Sequence, residues 1–156
     1  MTTLELDIPL RRAVMAMTDI TDMLGTYIGE PSIFTRRPVP GEATYPMVVI
    51  SPNIARGDQD ALGTKRPVVM RDVTAYGYTV RETTELGQID QYREVEQIAE
   101  LLYEGFHRNK DFLYLEDEGY HLVDVVASGP IPAPVDNVRL IGRVVTLTIR
   151  LYKKGT

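Results

Sequence analysis

Arg143-Val144-Val145-Thr146-Leu147-Thr148-Ile149-Arg150-Leu151-Tyr152 sorts into two rows when the chain is drawn extended. Val145, Leu147, Ile149 and Leu151 form one row, and Thr146, Thr148, Arg150 and Tyr152 form the other. Successive strand side chains point to opposite faces, so this alternation places one face on a core and the other in a polar setting. The run is rich in β-branched residues and holds no Gly or Pro. It predicts a long strand over Val138–Tyr152, whose apolar face the preceding chain must cover.

The preceding chain supplies two amphipathic helices. Leu10, Ala13, Val14, Met17, Ile20 and Leu24 recur at spacings of three and four, which predicts a helix over Ile8–Leu24. Asp7 is the expected N-cap, Pro9 fits the first turn, and Gly25 is the expected stop. Ile89, Tyr92, Val95, Ala99, Leu102 and Phe106 mark a second helix that ends near His107-Arg108-Asn109, with Arg93, Glu94, Glu96 and Glu100 on its polar side.

Between and after the helices the pattern is extended. Ser32-Ile33-Phe34-Thr35 is a short extended piece, and Pro38, Pro40 and Gly41 forbid regular structure after it. Tyr45-Pro46 leads into Met47-Val48-Val49-Ile50, a buried strand, with Pro52 marking an edge or bulge at its far end. Strand pattern resumes at Val68–Met70 and continues through Val73–Val80, where Gly77 implies a bulge or a close backbone approach. Phe112–Leu115 is a short apolar run before a turn at Glu116–Gly119. Tyr120–Ala127 reads as a strand, and Gly129–Pro134 as an extended connection. The order predicts an α+β fold: a mainly antiparallel or mixed β-sheet of about four to five strands, with two main helices packed on one face.

The totals fit one globular domain over 1–156. Of its 156 residues, 44% are hydrophobic and 25% charged, ordinary proportions for a chain that buries a core. A net charge of −5 argues against a protein that holds nucleic acid by neutralising phosphates. With no Cys, disulfides, thiolate zinc sites and Cys nucleophiles are excluded. No apolar run approaches the ~20 residues of a membrane-spanning helix, and no secretory signal pattern opens the chain.

No constellation of catalytic or cofactor-binding residues emerges. His107 and His121 have no local partners for a metal or a triad, and read as packing or surface histidines. Glu116-Asp117-Glu118 lacks the spacing of a calcium loop. Gly57, Gly63 and Gly77 form no phosphate-cradling loop. Ser51 and Ser128 sit in no nucleophile elbow. The nine Tyr are better explained as cross-strand partners than as a stacking platform. The basic pairs Arg11-Arg12, Arg36-Arg37 and Lys153-Lys154 read as solvated faces.

The stretch Asn53–Lys65 is expected to be a flexible loop joining two strands. It is long for a hairpin connection, carries both charge signs, and holds one apolar residue, Leu62. Two readings stay open. It is a disordered hairpin tip, or an arm that orders against a neighbouring subunit. On the second, Arg56, Asp58, Asp60, Leu62, Lys65 and Arg66 are the assembly-contact candidates.

The order of these features resembles the tail terminator (tail completion, or minor tail) proteins of long-tailed phages and phage-like particles. The features that carry it are a helix with Leu10-Arg11-Arg12-Ala13-Val14 ending at Leu24-Gly25, a Pro-rich turn, and the lead-in Tyr45-Pro46-Met47-Val48-Val49-Ile50. Val73-Thr74-Ala75-Tyr76-Gly77-Tyr78 then precedes a helix from Tyr92-Arg93-Glu94, and a long strand closes the chain. The tract 111–137 is bulkier than the family pattern. The resemblance implies a non-enzymatic, ring-forming virion subunit without cofactors, usually in six copies. Its expected place is the head-proximal end of the tail, after assembly in the host cytoplasm. Its expected partners are further copies of itself, the tail tube protein and the head-tail connector proteins, with DNA passing through the lumen and no membrane. The alternatives are another neck protein (a head-closure or connector-adaptor protein) or a cytoplasmic small-ligand-binding α+β domain.

Overall fold

The computed structural model describes residues 6–36, 39–51, 55–61, 64–79, 82–84, 87–109, 120–133, 135 and 140–153. The anchoring strand is an inner strand of a mixed sheet, paired on both sides. In chain order the elements are α1 (Asp7–Met15), α2 (Thr18–Thr21), β1 (Thr26–Tyr27), β2 (Glu30–Pro31), β3 (Ile33–Phe34), β4 (Met47–Ile50), β5 (Ala55–Ala61) and β6 (Thr64–Tyr78). There follow β7 (Glu82–Thr84), β8 (Gly87–Ile89), α3 (Tyr92–Phe106), β9 (Tyr120–Pro132) and β10 (Leu140–Lys153). The main sheet has the order β3-β4-β6-β10-β9, and β5 also pairs with β6. The β3–β4 pair is parallel and the other pairs are antiparallel. Two small two-stranded ladders, β1–β2 and β7–β8, stand apart from this sheet.

The apolar row of β10 faces a core as its alternation requires. Val145, Leu147, Ile149 and Leu151 are fully buried among residues of α1, α3, β4, β6 and β9. From α3, Val95, Ile98, Ala99, Leu102 and Phe106 fill the space over β6, β10 and β9. Gly77 is the close backbone approach, not a bulge, because the β6–β10 register runs unbroken through it. A Cβ there would lie 2.5 Å from Val95 Cγ2, so α3 seats directly on bare backbone. The start of α3 is tied down by Gln91. Its Oε1 accepts the Tyr78 N–H at 3.1 Å and its Nε2 donates to the Tyr45 carbonyl at 3.1 Å.

The first helix departs from expectation. Leu10, Ala13, Val14, Met17, Ile20 and Leu24 are all buried, yet the helix breaks after Met15 and re-forms as the short α2. Met17 leaves the helical conformation and its side chain settles against α3, where a Cβ on Gly105 would lie 2.6 Å from Met17 Cε. Tertiary packing therefore overrides the local periodicity. Asp7 is the first helical residue, not the N-cap, which is Leu6. The Asp7 carboxylate instead reaches across to the guanidinium of Arg71 in β6.

That contact explains how a cation stands in the middle of β6, where strand pattern was expected from Val68 on through Val80. Arg71 occupies the core-facing row between Val69 and Val73, and its side chain is only 3% exposed. A buried guanidinium is tolerated when a carboxylate meets it. On the opposite face, β4 is buried again. Met47 and Val49 join Tyr76 and Ala43 in a second apolar cluster, covered by Tyr27, Phe34, Val39 and Tyr45.

At the other end of the sheet, β9 runs on through Pro132, where the sequence suggested a connection from Gly129. It passes a register shift opposite Val144–Thr146, and Gly129 takes φ +102° there, a conformation open to glycine. Pro130 and Pro132 are tolerated because β9 is an edge strand. Its outer edge is partly closed by the end of α3. The Ala127 N–H donates to His107 Nδ1 at 3.1 Å, and the Arg108 N–H donates to the Val125 carbonyl at 2.7 Å. His107 also stacks on Tyr103, with ring centroids 5.0 Å apart. His107→Ala is expected to cost about 1–2 kcal/mol, by orphaning a part-buried amide and removing a ring contact. Faster hydrogen exchange at Ala127 than at Val145 would register it.

Candidate assembly site

Two places rich in charged residues stand out, toward the two ends of β6. The first is built by β5 and the start of β6. Their register pairs Ala55 with Met70, Gly57 with Val68, Asp58 with Pro67, Gln59 with Arg66, Asp60 with Lys65 and Ala61 with Thr64. The expected flexible loop over 53–65 is thus, in its described part, a β-ribbon. The strand signal was missing because the alternation Arg56, Asp58, Asp60 against Gly57, Gln59, Ala61 contains no apolar row.

The ribbon parts from β10 at this end, where β10 goes on to Lys153 against β9. Pairing of β6 with β10 stops at Val68–Arg150, and the next residue, Pro67, has no N–H to continue it. The four pairs from Asp58–Pro67 to Ala61–Thr64 therefore form an arm beyond that ladder. By register, Arg56, Asp58, Asp60 and Lys65 share the face of Val69, and Arg66 falls on the other face with Gln59. The backbone thus brings together five of the six candidates, whereas Leu62 lies outside the described residues.

The second surface is a groove of about 590 Å³ lined by Arg93, Glu96, Gln97, Glu100, Pro130 and Arg143. The four α3 residues fall at i, i+3, i+4 and i+7 and so form one stripe. Arg143 rises from the start of β10, in register with Ala75 of β6. Its Nη2 lies 3.5 Å from Glu96 Oε1 and 3.3 Å from the Tyr92 hydroxyl, and its guanidinium carbon sits 5.6 Å from the Tyr92 ring centroid. Tyr92, expected in the core, is 43% exposed for this reason: it shields the arginine instead of packing inward. Among the described residues Arg93 and Glu100 make no ion pair, so the groove offers one free charge of each sign.

None of these groove residues was singled out from the sequence as a contact candidate. A signal existed in Arg143, which stands in the odd-numbered row of Val145, Leu147, Ile149 and Leu151. A cation placed in an apolar row marks the point where the core ends or a partner carboxylate waits.

Comparison with known proteins gives a likeness of fold. The chain superposes on a chain from a structure of the virion of a native gene transfer agent (GTA) particle, with a TM-score of 0.65. This chain shares its fold with a virion chain. The match covers 96% of this chain and 99% of that chain, so nearly every element has a counterpart, at 12% sequence identity. No protein-family model matches the sequence, and no curated protein matches it.

Proposed function

We infer that this chain is a structural, non-enzymatic virion protein that acts as a single domain. Its copies close into a ring at the head-proximal end of a tail tube. There the ring ends tube polymerisation and gives the head connector a surface to dock on, while DNA passes through the lumen. The observation that carries this reading is the near end-to-end likeness to a chain of a GTA virion, at TM-score 0.65. The order of elements resembling tail terminator proteins narrows it to the cap of the tube.

The physical chemistry is compatible. A subunit with net charge −5 can line a channel that DNA crosses without being held, because phosphates are repelled instead of neutralised. A closed ring needs a heterologous interface, in which one patch meets a different patch. The ribbon of β5 and the start of β6, which carries Arg56, Asp58, Asp60, Lys65 and Arg66, is the candidate for one of these patches. Replacing Asp58–Pro67 by Asn-Gly, a pair that closes a two-residue hairpin, is therefore expected to abolish ring formation and tube capping. The melting temperature of the lone subunit should change little. Rings that form as before would remove the arm from the interface.

Loss of the protein from its particle tests the tube-capping role directly. Overlong tubes detached from heads support a terminator. Tails of normal length that fail to join heads point instead to another neck component.

A further inference from the structure

We propose that the Ile28-Gly29 hairpin tip of one copy of this chain seats in a notch between α2 and α3 of a second copy, as a knob in a hole. The proposal rests on the self-assembly part of the function inferred above, names a contact for it, and does not involve the β5–β6 ribbon.

The knob stands out by its backbone. Tyr27 pairs with Glu30, so Ile28 and Gly29 form the two-residue loop of the β1–β2 hairpin. Their φ angles are +51° and +75°. Such a loop favours Asn, Asp or Gly at its first position, because a β-branched side chain is strained at positive φ. Ile28 bears that strain while 81% exposed, so it secures no burial in its own chain. Strain held without a local gain points to a contact elsewhere. The base of the hairpin is fixed. The Thr26 N–H donates to Thr44 Oγ1 at 2.7 Å, the Thr44 hydroxyl donates to the Thr26 carbonyl at 3.1 Å, and the Tyr27 ring meets Phe34 edge-on. A tip presented in one conformation loses little freedom on docking.

A second isoleucine belongs to the same patch. Ile8 is 67% exposed, and it and Ile28 are the two most exposed large apolar residues among those described. Ile8 precedes Arg11 and Arg12 by three and four residues, on one side of α1. Arg11 Nη2 lies 3.4 Å from Glu30 Oε2, which ties that side of α1 to the hairpin.

The hole lies where the first helix breaks. Ala16, Met17, Ile20, Leu101 and Gly105 line a notch of about 380 Å³, larger than an isoleucine side chain needs. Asp19 and Glu104, both exposed, also line it. Arg12, exposed on the knob side, supplies the opposite charge. Among the described residues none of these three enters an ion pair, so docking sets an unpaired cation toward unpaired acids. The hairpin belongs to the β3 edge, where the Ser32 N–H donates to the Gly25 carbonyl and the Val48 N–H to the Ser32 carbonyl. The notch instead adjoins α3, which covers β6, β10 and β9. The two patches are unlike, so the contact leaves a free knob on one copy and a free hole on the next, and repeats until a ring closes.

Because the chain has no Cys, introduced thiols report the contact without background. Full-length Ile28→Cys and Ala16→Cys would be prepared separately, mixed, and treated with a short bis-maleimide, with native mass measured alongside, with and without tail tube. The expected result is a linked dimer in the mixture and none in either variant alone. Linkage within one single variant would show like patches meeting, and would overturn the contact. Rings of the unmodified chain with no linkage in the mixture would overturn the contact and leave the ring standing. Linkage in the mixture with a native mass that stops at a dimer would keep the contact and overturn the ring. An unmodified chain that stays monomeric throughout would overturn both. Ile28→Asn separates contact from fold, since asparagine accepts positive φ. The lone subunit should melt no lower than before, while self-association weakens roughly 10–100-fold, as the loss of one buried isoleucine implies. Association as strong as that of the unmodified chain would overturn the contact.

Discussion

Leu147→Ala is expected to lower the stability of the subunit by about 3–5 kcal/mol, the cost of emptying a fully buried leucine site that cannot collapse. Leu147 has no exposed surface and sits mid-strand in β10, between β6 and β9, with α3 above it. For a chain of this length, about 2–4 °C of melting temperature is lost per kcal/mol, so the transition should move down by roughly 10 °C. Its neighbour Thr146 gives the contrast. The Thr146 hydroxyl donates to Asp72 Oδ1 at 2.7 Å on the far side of the sheet, where both residues are only part-buried. Thr146→Ala therefore removes one hydrogen bond and should cost about 1 kcal/mol. Thermal melts of the two variants check the assignment of faces. Equal losses would contradict it.

Asp7→Ala is expected to cost about 2–3 kcal/mol, more than a helix-terminal residue ordinarily does, because it removes a carboxylate that meets the buried Arg71 guanidinium. The carboxylate is 33% exposed, which keeps the loss below that of a fully buried pair. Arg71→Met should be milder, at about 1 kcal/mol, since the thioether can fill the core-facing position while Asp7 turns to water. The double variant Asp7→Ala/Arg71→Met should match Arg71→Met alone. A coupling energy of about 2–3 kcal/mol would then be measured by chemical denaturation, within the range for residues in contact. Additive losses would show that the two side chains stabilise the fold independently.

Arg71 and Arg143 also show what the sequence could and could not convey. Where a segment packs an apolar row on a core, the pattern was legible: β10, β4 and α3 lie close to where periodicity places them, and so does the mixed sheet with helices on one face. Where a polar residue is satisfied by a distant part of the chain, the pattern breaks without a visible reason. Arg71 interrupts the apolar row of β6, and the carboxylate that meets it, Asp7, lies 64 residues away. The break between α1 and α2 was hidden likewise, since the recess that receives Met17 is made by Gly105 in another helix. The arm was the hardest to read. A ribbon with no apolar row has the composition of a loop, and only the ladder against β6 identifies it. Its contact candidates were chosen for mixed charge on a segment without an apolar row, and the groove beside Arg143 was not chosen because α3 charges look like any solvated helix face.

The central claim is that copies of this chain close into a ring. Native mass measurement with negative-stain imaging over a range of concentrations, with and without tail tube, tests it most directly. The account predicts closed rings of a single stoichiometry, with a central opening wide enough for duplex DNA, in solution or on the end of the tube. Monomers at every concentration that also fail to bind the tube would contradict it.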